Sequence, residues 1–240
     1  MRFLLPVLVL SLEVCFAGRA ALAGETETIV FVRHGEKPGT QSPRDKSGNC
    51  QTSDASKSGL GQLTCQGLNR ALKLREVIEA RFGKPWAIFA PNPADQKADD
   101  NDEDGPHDVP GGLYDYLRPL ATIEPTAVRF GLPVNTQIGF SNAEALIATL
   151  KEENYRDKVV VVAWEHKTIN DVECRLLTGD DCAWKKDAEG NKRSGEVSKW
   201  EGCDFDRMDI VKIDWSGARP TATIEQSAEG LDGQPTECPK

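Results

Sequence analysis

An arginine, a histidine and a glycine follow one another where a short apolar run stops, in Ile29-Val30-Phe31-Val32-Arg33-His34-Gly35-Glu36. The chain has three histidines: His34, His107 and His166. His166 has the same setting, after Val159-Val160-Val161-Val162-Ala163-Trp164-Glu165. Open α/β sheets bind their ligands at the carboxyl ends of strands, and two of the three histidines sit at such ends. Arginine beside histidine there suits a phosphoryl group. A guanidinium is a planar, permanently charged fork that matches phosphate oxygens. A neutral imidazole can attack phosphorus and carry the group covalently. Gly35 permits close backbone approach and offers an amide to an anion.

Val32-Arg33-His34-Gly35-Glu36 resembles the signature of the histidine phosphatase superfamily, the phosphoglycerate mutase-like proteins. Leu63-Thr64-Cys65-Gln66-Gly67-Leu68-Asn69-Arg70-Ala71 resembles the L-T-x-x-G opening of that family's first helix. Arg118-Pro119-Leu120-Ala121-Thr122-Ile123 resembles the segment with its second phosphate-binding arginine, and Val159 to His166 the strand presenting its second histidine. The four blocks stand in the family's order and cover most of residues 28 to 178. The resemblance implies His34 as nucleophile, Arg33 and Arg118 as phosphate clamps, and His166 as donor to a phosphoryl oxygen, with Gly35 lending its amide. It implies the small branch, without a large cap domain and without a cofactor. One departure concerns Arg118: about 25 residues separate it from the second strand, where family members often have only a few. Its assignment therefore rests on the motif.

The general acid has no clear match. An alkoxide leaving group needs a proton from a carboxylic acid or histidine. Glu165 adjoins His166, but strand alternation turns neighbours to opposite faces unless a turn begins there. Glu36 and the loop-borne His107 are the other candidates. Glu144 belongs to a helix cap.

These groups need elements to hold them. The two apolar runs are strands, and the uninterrupted 159–164 run is expected in the sheet's centre, covered on both faces. Residues 37–61 read as a long polar loop. A helix is expected from Thr64 as N-cap to about Phe82, with Leu68, Ala71, Leu72, Val77 and Ile78 on its apolar stripe and Gly83 as its stop. Trp86 to Ala90 is a short strand, and Ala94 to Gly112 an acidic loop shaping access to the pocket. Helices follow from Pro119 to Gly131, from a Ser141/Glu144 capping box to about Lys151, and after His166 to Gly179. Residues 180–203 look irregular, and 208–215 with 221–226 form a closing hairpin. Alternating strands and helices predict an α/β three-layer sandwich with a mostly parallel central sheet flanked by helices.

Net charge is −9 with pI near 5.0, which argues against a nucleic-acid partner. The partner expected is a small phosphorylated substrate. Arg2, the apolar Phe3–Phe16 stretch and Ala21-Leu22-Ala23 read as a signal peptide cleaved after Ala23. That leaves a single domain, 24–240, exported to the periplasm or medium and free of the membrane. Cys15 falls in the leader. Cys50, Cys65, Cys174, Cys182, Cys203 and Cys238 remain, an even set that favours disulfides over a metal cluster. Cys50–Cys65 is expected as a local bridge, with the other four stapling the C-terminal third. Asp100-Asn101-Asp102-Glu103-Asp104-Gly105 matches the start of a calcium loop, but its twelfth position is Gly111, which favours a solvated acidic loop. Trp164 is expected in the core, and Trp184, Trp200 and Trp215 pack the C-terminal third without a ligand.

The leading reading is an exported, metal-independent phosphomonoesterase working through phosphohistidine. A phosphomutase fits export poorly. The family's larger phytase and acid phosphatase branch has R-H-G-x-x-x-P and H-D, whereas here Pro38 falls one residue early and Glu165 precedes the histidine. A phospho-ligand-binding protein without turnover is the rival of a different class.

Overall fold

The computed structural model describes residues 25–38, 61–98, 113–179, 182–186, 188 and 192–240. The leader, Cys50, His107 and the 100–105 acidic motif lie outside the described residues.

The elements in chain order are β1 (Thr26–Arg33), α1 (Cys65–Phe82), β2 (Ala87–Phe89), β3 (Gln96–Ala98), β4 (Leu113–Asp115), α2 (Arg118–Phe130), β5 (Val134–Asn135) and α3 (Ala143–Leu150). After a 3-10 turn come β6 (Val159–Trp164), α4 (His166–Thr178), β7 (Lys185–Lys186), β8 (Lys192–Ser194), β9 (Val197–Ser198), β10 (Arg207–Asp214) and β11 (Thr221–Ala228). Six strands form one sheet in the order β11-β10-β1-β6-β2-β5. β1, β6, β2 and β5 run parallel, and β10 joins β1 antiparallel, with β11 closing the hairpin. The expected mostly parallel α/β sandwich is therefore the fold.

Side-chain alternation builds the two outer layers. Ile29, Phe31, Val160, Val162 and Trp164 point to one face, where α3 and α4 bring Leu146, Leu150, Ile169 and Val172. Val30, Val32, Val161 and Ala163 point to the other, where α1 and α2 bring Leu74, Ile78, Ile123 and Ala127. With both faces covered, β1 and β6 carry no polar alternation, as a central parallel strand requires. Trp164 is fully buried and its Nε1 donates to the Phe140 carbonyl at 2.7 Å. Among the described residues no helix is long and apolar enough to cross a membrane.

The helix ends follow their local signals. Thr64 Oγ1 accepts from the Gly67 amide at 3.1 Å, and Gly83, Gly131 and Gly179 close α1, α2 and α4. Other expectations need correction. The α3 cap is Asn142, whose side chain accepts from the Ala145 amide, so Ser141 and Glu144 form no capping box. Leu68 faces solvent; the inward stripe of α1 is Gly67, Arg70, Ala71, Leu74 and Ile78. The stripe is misread because two of its buried positions are a glycine and an arginine. Residues 180–203 are not wholly irregular, since β7, β8 and β9 form a small antiparallel sheet.

Cys65 is bonded to Cys238, not to Cys50. The C-terminal tail lies across the start of α1, where Asn69 Nδ2 donates to the Pro235 and Glu237 carbonyls, both at 2.8 Å. Cys174 pairs with Cys182 just beyond α4, within the third of the chain expected to be stapled, and Cys203 is also disulfide-bonded.

Candidate active site

Strand register brings the two histidines together. Arg33 is opposite Trp164 in the parallel β1–β6 pair, and neighbouring strands lie about 4.8 Å apart. The His34 amide continues the ladder, donating to the Trp164 carbonyl at 3.2 Å. His34 leaves the end of β1 as His166 begins α4 at the end of β6. Arg118 opens α2, so the positive ends of two helices add to this corner. His34, His166, Arg33 and Arg118 are all buried.

His34 Nδ1 lies 2.8 Å from the Gly35 carbonyl. A carbonyl only accepts, so Nδ1 carries the proton and Nε2 keeps its lone pair. Burial, then the charges of Arg118, Arg33 and Lys37, outweigh the Gly35 bond and hold the imidazole well below its ordinary pKa of 6.5. It is a neutral base at physiological pH, the form a nucleophile needs. The ring meets Tyr116 edge-on, with centroids 6.0 Å apart, and lies 5.9 Å from Phe205.

Gly35 acts as a brace. Its N–H donates to Thr122 Oγ1 at 2.8 Å, and Thr122 in turn donates to the Arg118 carbonyl at 2.8 Å. The Gly35 amide expected to face an anion is thus engaged with α2. A Cβ on Gly35 would stand 2.9 Å from the Gly67 carbonyl oxygen, and one on Gly67 would stand 2.5 Å from the Glu36 oxygen. Two glycines in contact let α1 seat directly on the histidine loop.

The arginines are anchored differently. Arg33 Nη1 donates to the Glu201, Gly202 and Asp204 carbonyls, and its guanidinium stacks 4.1 Å from the Phe205 ring centre. Arg118 stacks 4.9 Å from the Tyr116 ring centre, with one long contact of 3.5 Å from Nη2 to the Tyr114 hydroxyl. Its buried Nε has no hydrogen-bond partner among the described residues. A donor left in that state costs free energy unless something binds it, as a phosphate oxygen would. The residues between β2 and α2 that displace Arg118 in sequence include the β3–β4 ribbon, which returns the chain to the site.

The acid candidates fare unevenly. A turn does begin at Glu165, which caps α4 by accepting from the Thr168 amide at 3.0 Å, and His166 Nδ1 is 3.1 Å from Glu165 Oε1. Burial pushes this carboxyl up. The bond and charge of His166, the Thr168 amide and Lys97 outweigh burial and hold it down at about 2. Glu165 is thus held as an anion, a poor proton source. Glu36 is fully buried and paired to Arg70 at 2.8 Å. Arg70 also meets Asp206, Glu229 and Asp232.

Sequence reasoning missed Tyr114, Tyr116, Lys37 and Lys97. Tyr114 and Tyr116 are two apart just before Arg118, a same-face spacing in extended chain that was open to notice. Nothing local marks Lys97. Among the described residues no set of three His, Cys, Asp or Glu side chains is placed to hold a metal ion.

No protein-family profile and no curated protein matches the chain. Solved structures do. A structure assigned to the SixA phosphohistidine phosphatases, from Nakamurella multipartitia, matches with TM-score 0.45 and 11% identity over 83% of this chain and 94% of that one. A mycobacterial glucosyl-3-phosphoglycerate phosphatase complexed with VO3 matches with TM-score 0.39 and 14% identity, over 83% and 97%. A phosphoserine phosphatase mutant from Entamoeba histolytica matches with TM-score 0.39 and 12% identity, over 85% and 97%. The likeness is to structures named as phosphatases, and at these identities it assigns no activity to this chain.

Proposed function

We propose that this chain is an exported phosphomonoesterase that works through a phosphohistidine on a small phosphorylated substrate, without a metal ion. The observation that carries this reading is the His34 tautomer: Nδ1 is engaged with the Gly35 carbonyl, and Nε2 keeps its lone pair beside two buried guanidinium groups. Nε2 attacks phosphorus in line, forming the N–P bond as the P–O bond to the leaving group breaks. Arg33, Arg118 and His166 take the three equatorial oxygens, where charge builds up. Water then attacks phosphorus, the N–P bond breaks and its electron pair returns to Nε2.

Export rests on the Arg2 to Ala23 leader pattern. It is supported by the Cys65–Cys238 and Cys174–Cys182 bridges, which persist in oxidising compartments. The acidic surface balance disfavours nucleic acid as a partner.

The test is hydrolysis of 4-nitrophenyl phosphate by the mature, oxidised protein in excess chelator, beside His34→Ala. Turnover in the wild type, its loss in the variant and an acid-labile phosphoenzyme in quenched wild type are expected. The anionic Glu165 and the paired Glu36 favour a second reading, a phosphate-binding protein without turnover. That reading expects stoichiometric orthophosphate binding and no hydrolysis of any ester.

A further inference from the structure

Of the described acid candidates, Glu165 is held as an anion and Glu36 is paired to Arg70, so the leaving group still needs a proton. A different proton stands in the same corner. Tyr116 is fully buried, and its hydroxyl has no hydrogen-bond partner among the described residues. The ring is wedged between His34, edge-on at 6.0 Å, and Phe140 at 5.4 Å. The Arg118 guanidinium stacks on it at 4.9 Å, and Lys97 Nζ lies 5.8 Å from its centre. Its backbone is fixed on both sides: the Tyr116 amide donates to the Pro93 carbonyl at 3.2 Å, and α2 begins two residues later.

A buried hydroxyl without a partner is worse for folding than the phenyl ring that would fill the same space. Phenylalanine would serve the packing equally well, so packing does not explain the oxygen. A ligand atom does. We infer that the Tyr116 hydroxyl is the proton donor to the leaving-group oxygen of the phosphomonoester, an inference that rests on the phosphatase reading above. As Nε2 of His34 bonds to phosphorus, the P–O bond breaks, its electron pair goes to the leaving oxygen, and that oxygen takes the Tyr116 proton. Arg118 and Lys97 offset the phenolate charge. When water attacks the phosphohistidine, the phenolate takes a proton back from it. Burial holds the phenol up, so it stays protonated at neutral pH and still yields its proton to a strongly basic alkoxide.

The experiment compares kcat/KM of the full mature chain and Tyr116→Phe on two esters. One is an alkyl phosphate, whose alkoxide needs a proton. The other is 4-nitrophenyl phosphate, whose phenolate leaves largely without one. Loss of a general acid costs about 10²–10⁴-fold. The alkyl ester is expected to lose at least ~100-fold, and the nitrophenyl ester at least 30-fold less than that. The melting temperature of the variant is expected to equal or exceed that of the wild type, because no protein partner loses a bond. Equal losses on both esters, no loss on either, or a melting temperature lowered by several degrees would each overturn the proposal while leaving the phosphatase reading standing. A wild type that hydrolyses neither ester would sink both.

Discussion

Replacing Glu229 with Gln should flatten the protein's stability profile between pH 5 and 8. Arg70 sits fully buried among four carboxylates, at 2.8 Å from Glu36, 3.0 Å from Asp206, 2.8 Å from Glu229 and 3.2 Å from Asp232. One guanidinium cannot balance four negative charges, and of the two partners with wholly buried side chains Glu36 takes three bonds from Arg70 whereas Glu229 takes one. Glu229 Oε2 accepts from Arg70, whereas Oε1 is buried with no partner among the described residues. Burial raises the Glu229 carboxyl from 4.5 to about 8. Arg70 opposes that rise, and Asp206 and Glu36 add to it. Between those two values the folded chain binds one proton more than the unfolded chain. Stability is then fully present in acid and falls as pH rises through the window. Three to four pH units at about 1.4 kcal/mol each set a ceiling of ~5 kcal/mol, reduced by relaxation around the ionised group. Glutamine keeps the acceptor for Arg70 and cannot ionise. Urea unfolding at pH 5, 6, 7 and 8 should show the two proteins within about 1 kcal/mol of each other at pH 5, and the variant ahead by a few kcal/mol at pH 8. Glu27, raised to about 7 chiefly by burial, and Glu173, raised by burial and by Asp209, bend both profiles alike and cancel in the difference. Parallel profiles across the range would refute the reasoning.

Two further outcomes follow from the packing. Cys65–Cys238 closes 173 residues of chain and Cys174–Cys182 only 8. On loop entropy their removal by paired Ser substitution should cost about 5 and about 2.5 kcal/mol. Equal losses in denaturant titrations would show that loop closure is not what these bridges supply. Gly67→Ala should lower kcat by about tenfold or more, although alanine is the better helix former by ~1 kcal/mol. Its Cβ meets Glu36 backbone atoms at 2.5 and 2.8 Å, and α1 must back away from the loop that aims His34. An unchanged kcat would mean that the helix gives way without moving the histidine.

What was legible in the chain, and what was not, divides along the range of the interactions. β1 and β6 were readable because burial on both faces demands unbroken apolar runs, and a polar residue ending such a run has to sit at the sheet's edge, where ligands bind. That argument alone brought His34 and His166 together. The Thr64 cap and the Gly83, Gly131 and Gly179 stops were readable because capping is satisfied within a few residues. Two misreadings share one cause: the deciding partner is far away in sequence. Arg70 was left off the predicted stripe of α1, because Glu229, 159 residues further on, is what makes its burial tolerable. Cys65 looked local to Cys50 because nothing near it announces that the C-terminal tail returns to α1. Glu165, one of three acid candidates, is a different case: its partners Thr168 and His166 are near in sequence, and what the chain does not announce is how the start of α4 arranges them. The same logic makes Tyr116 the instructive case. Its sequence neighbourhood carries only the spacing to Tyr114, its packing would suit phenylalanine, and its hydroxyl answers to no other atom among the described residues. A residue type that neither local structure nor packing requires is the kind of departure that folding physics leaves for function to explain.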